Sequence, residues 1–290
     1  MKKIFITSSL VLSISMFSQT VSDLKFDSGV IDSENSYVVL PKKETDQKYG
    51  YGFIYFDEMA GYSFRSLGDL VVENGKLKVV TDQFHQSSMM ISRIGNFNLK
   101  TARLNDDVVK KLNLESPPKW LEIYKSSKPE NEKILNRASK LNGANNAQLA
   151  LPKLLELYKN NFKTESLYFE LAFSYNALGK FAEGEKISLE ALNNKKADDL
   201  VKKEYIYSLV HQDKVKEADD FLSKNISSFK TQNNKIEAII NTIAVSAHKG
   251  NLTVAEKWMK ELKSEPNIDR YQKNIQQLES IIKEKQSKIL

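Results

Sequence analysis

Few side chains in this sequence are placed to do chemistry. There are three histidines, His85, His211 and His248, and no cysteine. His85 stands near Asp82, Ser87 and Ser88, the residue types of a nucleophile–base–acid relay. Such a relay is defined by geometry across a fold, not by closeness in sequence, and a polar loop between strands accounts for the cluster. The sequence has no Gly-x-Ser-x-Gly elbow, no His-Glu-x-x-His pair, no EF-hand loop and no phosphate-cradling glycine loop. Carboxylates are plentiful, but no pair stands apart as acid and base. Without cysteine there are no disulfides and no thiolate metal sites. His211 and His248 would supply only two ligands where a metal needs more. We therefore expect no catalytic residue, no cofactor and no metal. A hydrolase without a readable motif is kept as an alternative.

The elements that would position these residues are repetitive. Ala150, Gly184, Ala218 and Ala255 occupy one small-residue position, at intervals of 34, 34 and 37. Five residues before each stands Asn145, Gly179, Asp213 or Gly250, and Ala147, Phe181, Val215 or Leu252 follows two residues later. A period near 34 marks an array of helical hairpins. The first helix of each pair carries Ala138, Ala172, Ile206 or Ile243, then Leu141, Tyr175, Leu209 or Ser246. The second carries Leu154, Ser188, Leu222 or Met259. Spacings of three and four put these on one face. The small residue lets the two helices approach. Asn, Gly, Asp and Gly suit a turn that needs the left-handed region, which glycine enters freely and Asn and Asp tolerate. The longer third interval predicts extra loop across 227–234. Residues 268–290, with Tyr271, Ile275, Leu278, Ile281 and Ile282, read as a charged amphipathic helix that caps the last pair.

Within the array, Leu167-Tyr-Phe-Glu-Leu-Ala-Phe-Ser-Tyr-Asn-Ala-Leu-Gly179 resembles the tetratricopeptide (TPR) repeat. Tyr168, Leu171, Ala172, Tyr175, Gly179, Phe181, Gly184 and Ala191 stand at its signature positions. The other units match more loosely but in phase, and the closing proline is present only as Pro266. The resemblance implies a groove lined mainly by the first helix of each pair. It puts Leu135, Ser139, Asn142 and Gly143 there in the first unit, and Phe169, Phe173, Asn176 and Ala177 in the second. Lys203, Tyr207, Val210 and His211 follow in the third, and Ile240, Ala244, Ala247 and His248 in the fourth. Phe169, Phe173, Asn176, Lys203, Tyr207, His211 and His248 are the expected peptide-binding residues. Aromatics of this kind suit the anchoring of a peptide or helix; burial against another part of the chain is the competing reading. His211 and His248 occupy equivalent positions and would face each other across one groove step. Otherwise they serve as helix-end cations beside terminal carbonyls. The clamp by which chaperone-binding TPR domains hold a carboxylate needs Lys and Asn at matched positions. Lys203 fits one, but Phe173 and Tyr207 replace Asn, so that specificity is not implied.

The N-terminal half reads as strands. Ser36–Leu40, Tyr49–Asp57, Gly61–Phe64, Asp69–Glu73, Lys76–Val80, Ser88–Ser92 and Asn98–Arg103 carry strand-forming composition. Asn74-Gly75 predicts a type I′ hairpin. Tyr49, Tyr51, Phe53 and Tyr55 alternate and share one strand face; they form a core, or else a row that stacks on envelope glycans. Asp106 and Asp107 open a short helix. After Pro117-Pro118, residues 119–125 begin as a helix whose Trp120, Leu121 and Tyr124 would dock the β-module on the first repeat. The β-module also resembles exported bacterial proteins of the TPR family, a likeness that implies no activity.

At the N-terminus, Lys2 and Lys3 precede an apolar run from Ile4 to Phe17 with small residues near Ser18. That pattern is an export signal, too short for a span needing ~20 apolar residues. Its removal takes the formal net charge from +6 to +4. The remaining basic excess is interspersed, not the stripe that a nucleic-acid partner requires. The expected plan is α+β by domain: a signal peptide at 1–19, an antiparallel β-module at 20–128, and an all-α TPR-like hairpin solenoid with a capping helix at 129–290. The expected protein is periplasmic or secreted, has no lipid-anchoring cysteine, and keeps no membrane span after cleavage. It is non-enzymatic and binds a protein or peptide segment in its groove. A glycan-binding β-module on a helical spacer is the alternative.

Overall fold

The structure, a computed structural model, describes residues 24–80 and 88–288. The expected signal segment and His85, with Asp82 and Ser87, lie outside the described residues. The chain divides into two compact units, one ending at Ser127 and one beginning at Lys128. The first is an antiparallel sheet and the second is helical, giving an α+β protein.

In the first unit the described strands are β1 (Ser28–Gly29), β2 (Ser36–Val39), β3 (Tyr49–Asp57), β4 (Gly61–Glu73), β5 (Lys76–Val80), β6 (Met90–Arg93) and β7 (Lys100–Arg103). Their order is β1-β7-β2-β3-β4-β5, with β6 also on β4. Asn74 and Gly75 have φ of 51° and 75° and join Glu73 to its cross-strand partner Lys76, as a two-residue I′ turn requires. The sequence suggested two strands where β4 is one strand of 13 residues. Continuity comes from a bulge: Tyr51 pairs with Gly68 and Gly52 with Ser66, leaving Leu67 as the extra residue.

Tyr51, Phe53 and Tyr55 are buried, together with Tyr37, Val39, Leu70 and Leu77. Helix α1 (Asp106–Lys111), whose first turn is capped by the Asn105 side chain on the Val108 amide at 2.9 Å, adds Val108 and Val109 to that core. Residues Lys119–Tyr124 form a 3-10 helix. Expected to dock on the first repeat, it packs into the β-module itself. The Trp120 ring lies edge-on to Phe53 (5.5 Å) and Tyr55 (5.2 Å), under the Arg65 guanidinium at 4.3 Å. Aromatic area is the largest core contribution open to a small domain, and this module uses it.

The second unit holds nine α-helices among the described residues: α2 (Glu130–Gly143), α3 (Ala147–Lys159), α4 (Glu165–Ala177), α5 (Phe181–Asn193), α6 (Asp199–His211), α7 (Val215–Asn225), α8 (Gln232–His248), α9 (Leu252–Ser264) and α10 (Gln272–Ser287). Each first helix packs on its own partner and on the next first helix, so α2, α4, α6, α8 and α10 touch in series. Ala150, Ala218 and Ala255 are fully buried, and Gly184 is buried. Large neighbours such as Leu141, Leu154 and Leu222 are also fully buried, each contributing about 1.5–3 kcal/mol.

Asn145, Gly179, Asp213 and Gly250 all adopt left-handed backbone, with φ of 58°, 71°, 65° and 82°. After each, the next residue's amide reaches back five positions: Asn146 to Leu141 O, Lys180 to Tyr175 O, Lys214 to Leu209 O and Asn251 to Ser246 O, at 2.8–3.0 Å. This is the Schellman closure, which satisfies carbonyls a helix end would otherwise leave bare. The extra residues of the third interval do not form loop. They lengthen α8 to 17 residues, against 13 for α4 and α6. Helix α10 packs on α8 and α9 through Ile275, Leu278 and Ile282. None of the helices among the described residues is long and apolar enough to cross a membrane. A methyl at Gly179 must take the left-handed conformation, so Gly179→Ala should lower unfolding stability in urea by about 1–2 kcal/mol. Asn145→Gly should leave it unchanged or higher.

Candidate functional site

An asparagine on one first helix and a Glu–Ser pair on the next build two successive junctions of the helical unit. The Asn142 amide at the end of α2 donates to Glu170 O (3.1 Å) and to Glu170 Oε2 (2.7 Å) on α4. Ser174 Oγ donates to Asn142 Oδ1 at 2.8 Å. One period on, the Asn176 amide donates to Glu204 O (3.0 Å) and Glu204 Oε2 (2.9 Å) on α6, and Ser208 Oγ donates to Asn176 Oδ1 at 2.8 Å. All six side chains are buried. Each asparagine therefore staples one first helix to the next. Gly184 makes room for the second staple, because a Cβ there would lie 2.4 Å from Asn176 Oδ1 and 2.9 Å from Ser208 Oγ. After that the pattern ends: Val210 stands one period beyond Asn176 and is buried among Ile236, Ala238 and Ile239.

Burial raises the Glu204 carboxyl above the usual range. The Asn176 hydrogen bond and Lys203 pull it back, while Glu170 and Glu237 push it further up. Glu190 shows the opposite balance. Burial raises it too, but hydrogen bonds from Tyr158, Lys163 (2.9 Å) and Tyr168 (2.8 Å) outweigh that and leave it below the usual range.

Beside the first staple lies a groove of about 560 Å³ lined mainly by α2 and α4, with Leu200 of α6 also in its lining. Leu135 and Ser139 come from α2; Ser166, Phe169 and Glu170 come from α4. Phe169 is half-buried, with its ring 6.1 Å from that of Phe173. No family model, curated protein or solved structure matches the chain.

The expected groove residues separate into groups. Phe169 and Phe173 stand together on α4. Tyr207 and His211 form a second cluster with rings 4.2 Å apart, and Phe181 of α5 stacks on His211 at 4.8 Å and 18°. The sequence reading gave Phe181 no such part; its signal was an aromatic at the start of the paired helix. Asn176 is 5% exposed and its amide is spent on Glu204, so it supports the groove wall and offers a ligand nothing. Lys203 is half-buried and bonded to Glu237 at 2.6 Å. His248 is exposed at the end of α8. Among the described residues no ring contact joins His211 to His248. Burial, then the Lys249 charge, lowers the His211 imidazole below its ordinary value. A group already near neutral at pH 7 becomes more so, which does not suit the helix-end cation expected from sequence. Among the described residues no group of three or more His, Cys, Asp or Glu is placed to hold a metal ion.

Because the folded state holds the Glu204 proton more tightly than the unfolded chain, this carboxyl's contribution to stability is present at acid pH and is lost as pH rises through its folded value. Glu204→Gln keeps an oxygen for the Asn176 amide and removes the buried charge. The variant should melt at a higher temperature than the parent at pH 8, with the gap closing towards pH 4.5. An equal gap at both pH values would contradict the assignment.

Proposed function

We propose that this chain is an exported, non-enzymatic interaction protein of the cell envelope, whose helical unit is a TPR-type solenoid capped by α10. It holds a peptide or protein segment in the groove over α2 and α4. The observation that carries this reading is the groove itself: half-buried Phe169 and Leu135 beside the Ser139 and Ser166 hydroxyls. Apolar anchors with a few polar groups are what a peptide site needs. The period of 34, the left-handed turns and the serial packing of first helices support the repeat assignment. The N-terminal segment 1–19 supports export to the periplasm or the exterior. The interspersed charge supports a protein partner over a nucleic acid. The glycan reading has less behind it, since Tyr51, Phe53 and Tyr55 are buried and Tyr49 alone of that row is half-buried.

Affinity capture from envelope extract provides the test. The Phe169→Ala, Phe173→Ala double variant removes half-buried rings and should stay folded by circular dichroism. It should lose most of the partners the parent retains, since aromatic anchors carry about 2 kcal/mol or more each at such sites. A folded double variant with the parent's full set of partners would contradict groove binding.

A further inference from the structure

Glu170 is 7% exposed, yet it lines the groove. Its Oε2 accepts the Asn142 amide at 2.7 Å. Its Oε1 accepts from no group among the described residues, and no ion pair reaches it there. A carboxylate taken this far out of water is costly unless a cation or further donors meet it. The next repeat shows the complement. Lys203 precedes Glu204 in sequence, lies close enough to lower its carboxyl, and bridges to Glu237 at 2.6 Å. One period earlier, the position of Lys203 is held by Phe169, so the cation that accompanies Glu204 is missing beside Glu170. The groove lining holds two carboxylates, Glu132 and Glu170, and one ammonium group, that of Lys128, which has a partner of its own.

We infer that the ligand of this groove is a peptide segment carrying a lysine, whose ammonium group binds Glu170 Oε1 while its methylene stem lies along Phe169 and Leu135. The ligand supplies the cation that the chain itself supplies one repeat later. Lysine fits better than arginine. With Oε2 already engaged by Asn142, Glu170 presents one oxygen, which suits a compact point charge and not the two-pronged guanidinium fork. The adjacent Phe169 ring favours a cation over its face, and a lysine stem buries well along apolar surface. The Ser139 and Ser166 hydroxyls at the groove wall can bond the flanking peptide backbone.

The inference rests on the groove being a peptide site, and the experiment separates the two. Acetylated and amidated heptapeptide pools with random flanks and a fixed central lysine, acetyl-lysine, arginine or glutamate are titrated into the purified protein by fluorescence polarisation. The lysine pool should bind most tightly and the glutamate pool least. Glu170→Gln should weaken the lysine pool by about tenfold or more, the loss of one charge-assisted hydrogen bond. Its melting temperature should not fall, because the glutamine oxygen still accepts from Asn142. Equal binding of the lysine and acetyl-lysine pools, or an unchanged lysine affinity in Glu170→Gln, would overturn the inference. If all pools bind alike and Phe169→Ala abolishes binding, the groove stands and only the lysine assignment fails. If no pool binds, both fail.

Discussion

A buried primary amide bridging two helices is the constraint on which the rest of the helical unit depends. Asn142 and Asn176 each satisfy a backbone carbonyl, a carboxylate oxygen and a serine hydroxyl on the next first helix. Apolar packing holds helices together without fixing their rotation or register, because dispersion and burial are non-directional. The staple is directional: an asparagine one turn out of place would leave buried polar groups unpaired, at about 1–3 kcal/mol each. The glycine at 184 follows from the second staple, since alanine would intrude on it. The line of the groove follows from the first staple, which holds one carboxylate oxygen of the groove-lining Glu170.

The unit changes character along its length. The first two junctions between first helices are polar and stapled. The third, around Val210, Ile236, Ala238 and Ile239, is apolar. The groove lies over the stapled end. Directional bonds fix the rotation of the helices that line it, which an oily interface would not. The far end, closed by α10, serves stability through Ile275, Leu278 and Ile282.

What was legible in the sequence follows from the same physics. The turn residues at 145, 179, 213 and 250 were readable because a left-handed φ admits few residue types. The Asn74-Gly75 hairpin was readable for the same reason. The staples were not read, although Asn142 and Asn176, Glu170 and Glu204, and Ser174 and Ser208 each recur at 34. A polar residue on a helix is usually solvated, so the sequence places the asparagines on the groove surface, whereas both are buried. Helix length was the other blind spot. Added residues between repeats suggest a loop, yet 235–248 carries enough apolar periodicity to extend α8. In sequence Trp120 and Tyr124 look like docking groups, because nothing local shows that they cover Phe53 and Tyr55 of the strand face.

Asn176 fixes α4 against α6. Amide hydrogen exchange in Asn176→Ala, compared with the parent, tests it most directly. Protection should fall chiefly in α4 and α6, with α8 and α9 keeping theirs. Unchanged protection in α4 and α6, or an even loss across all helices, would contradict it.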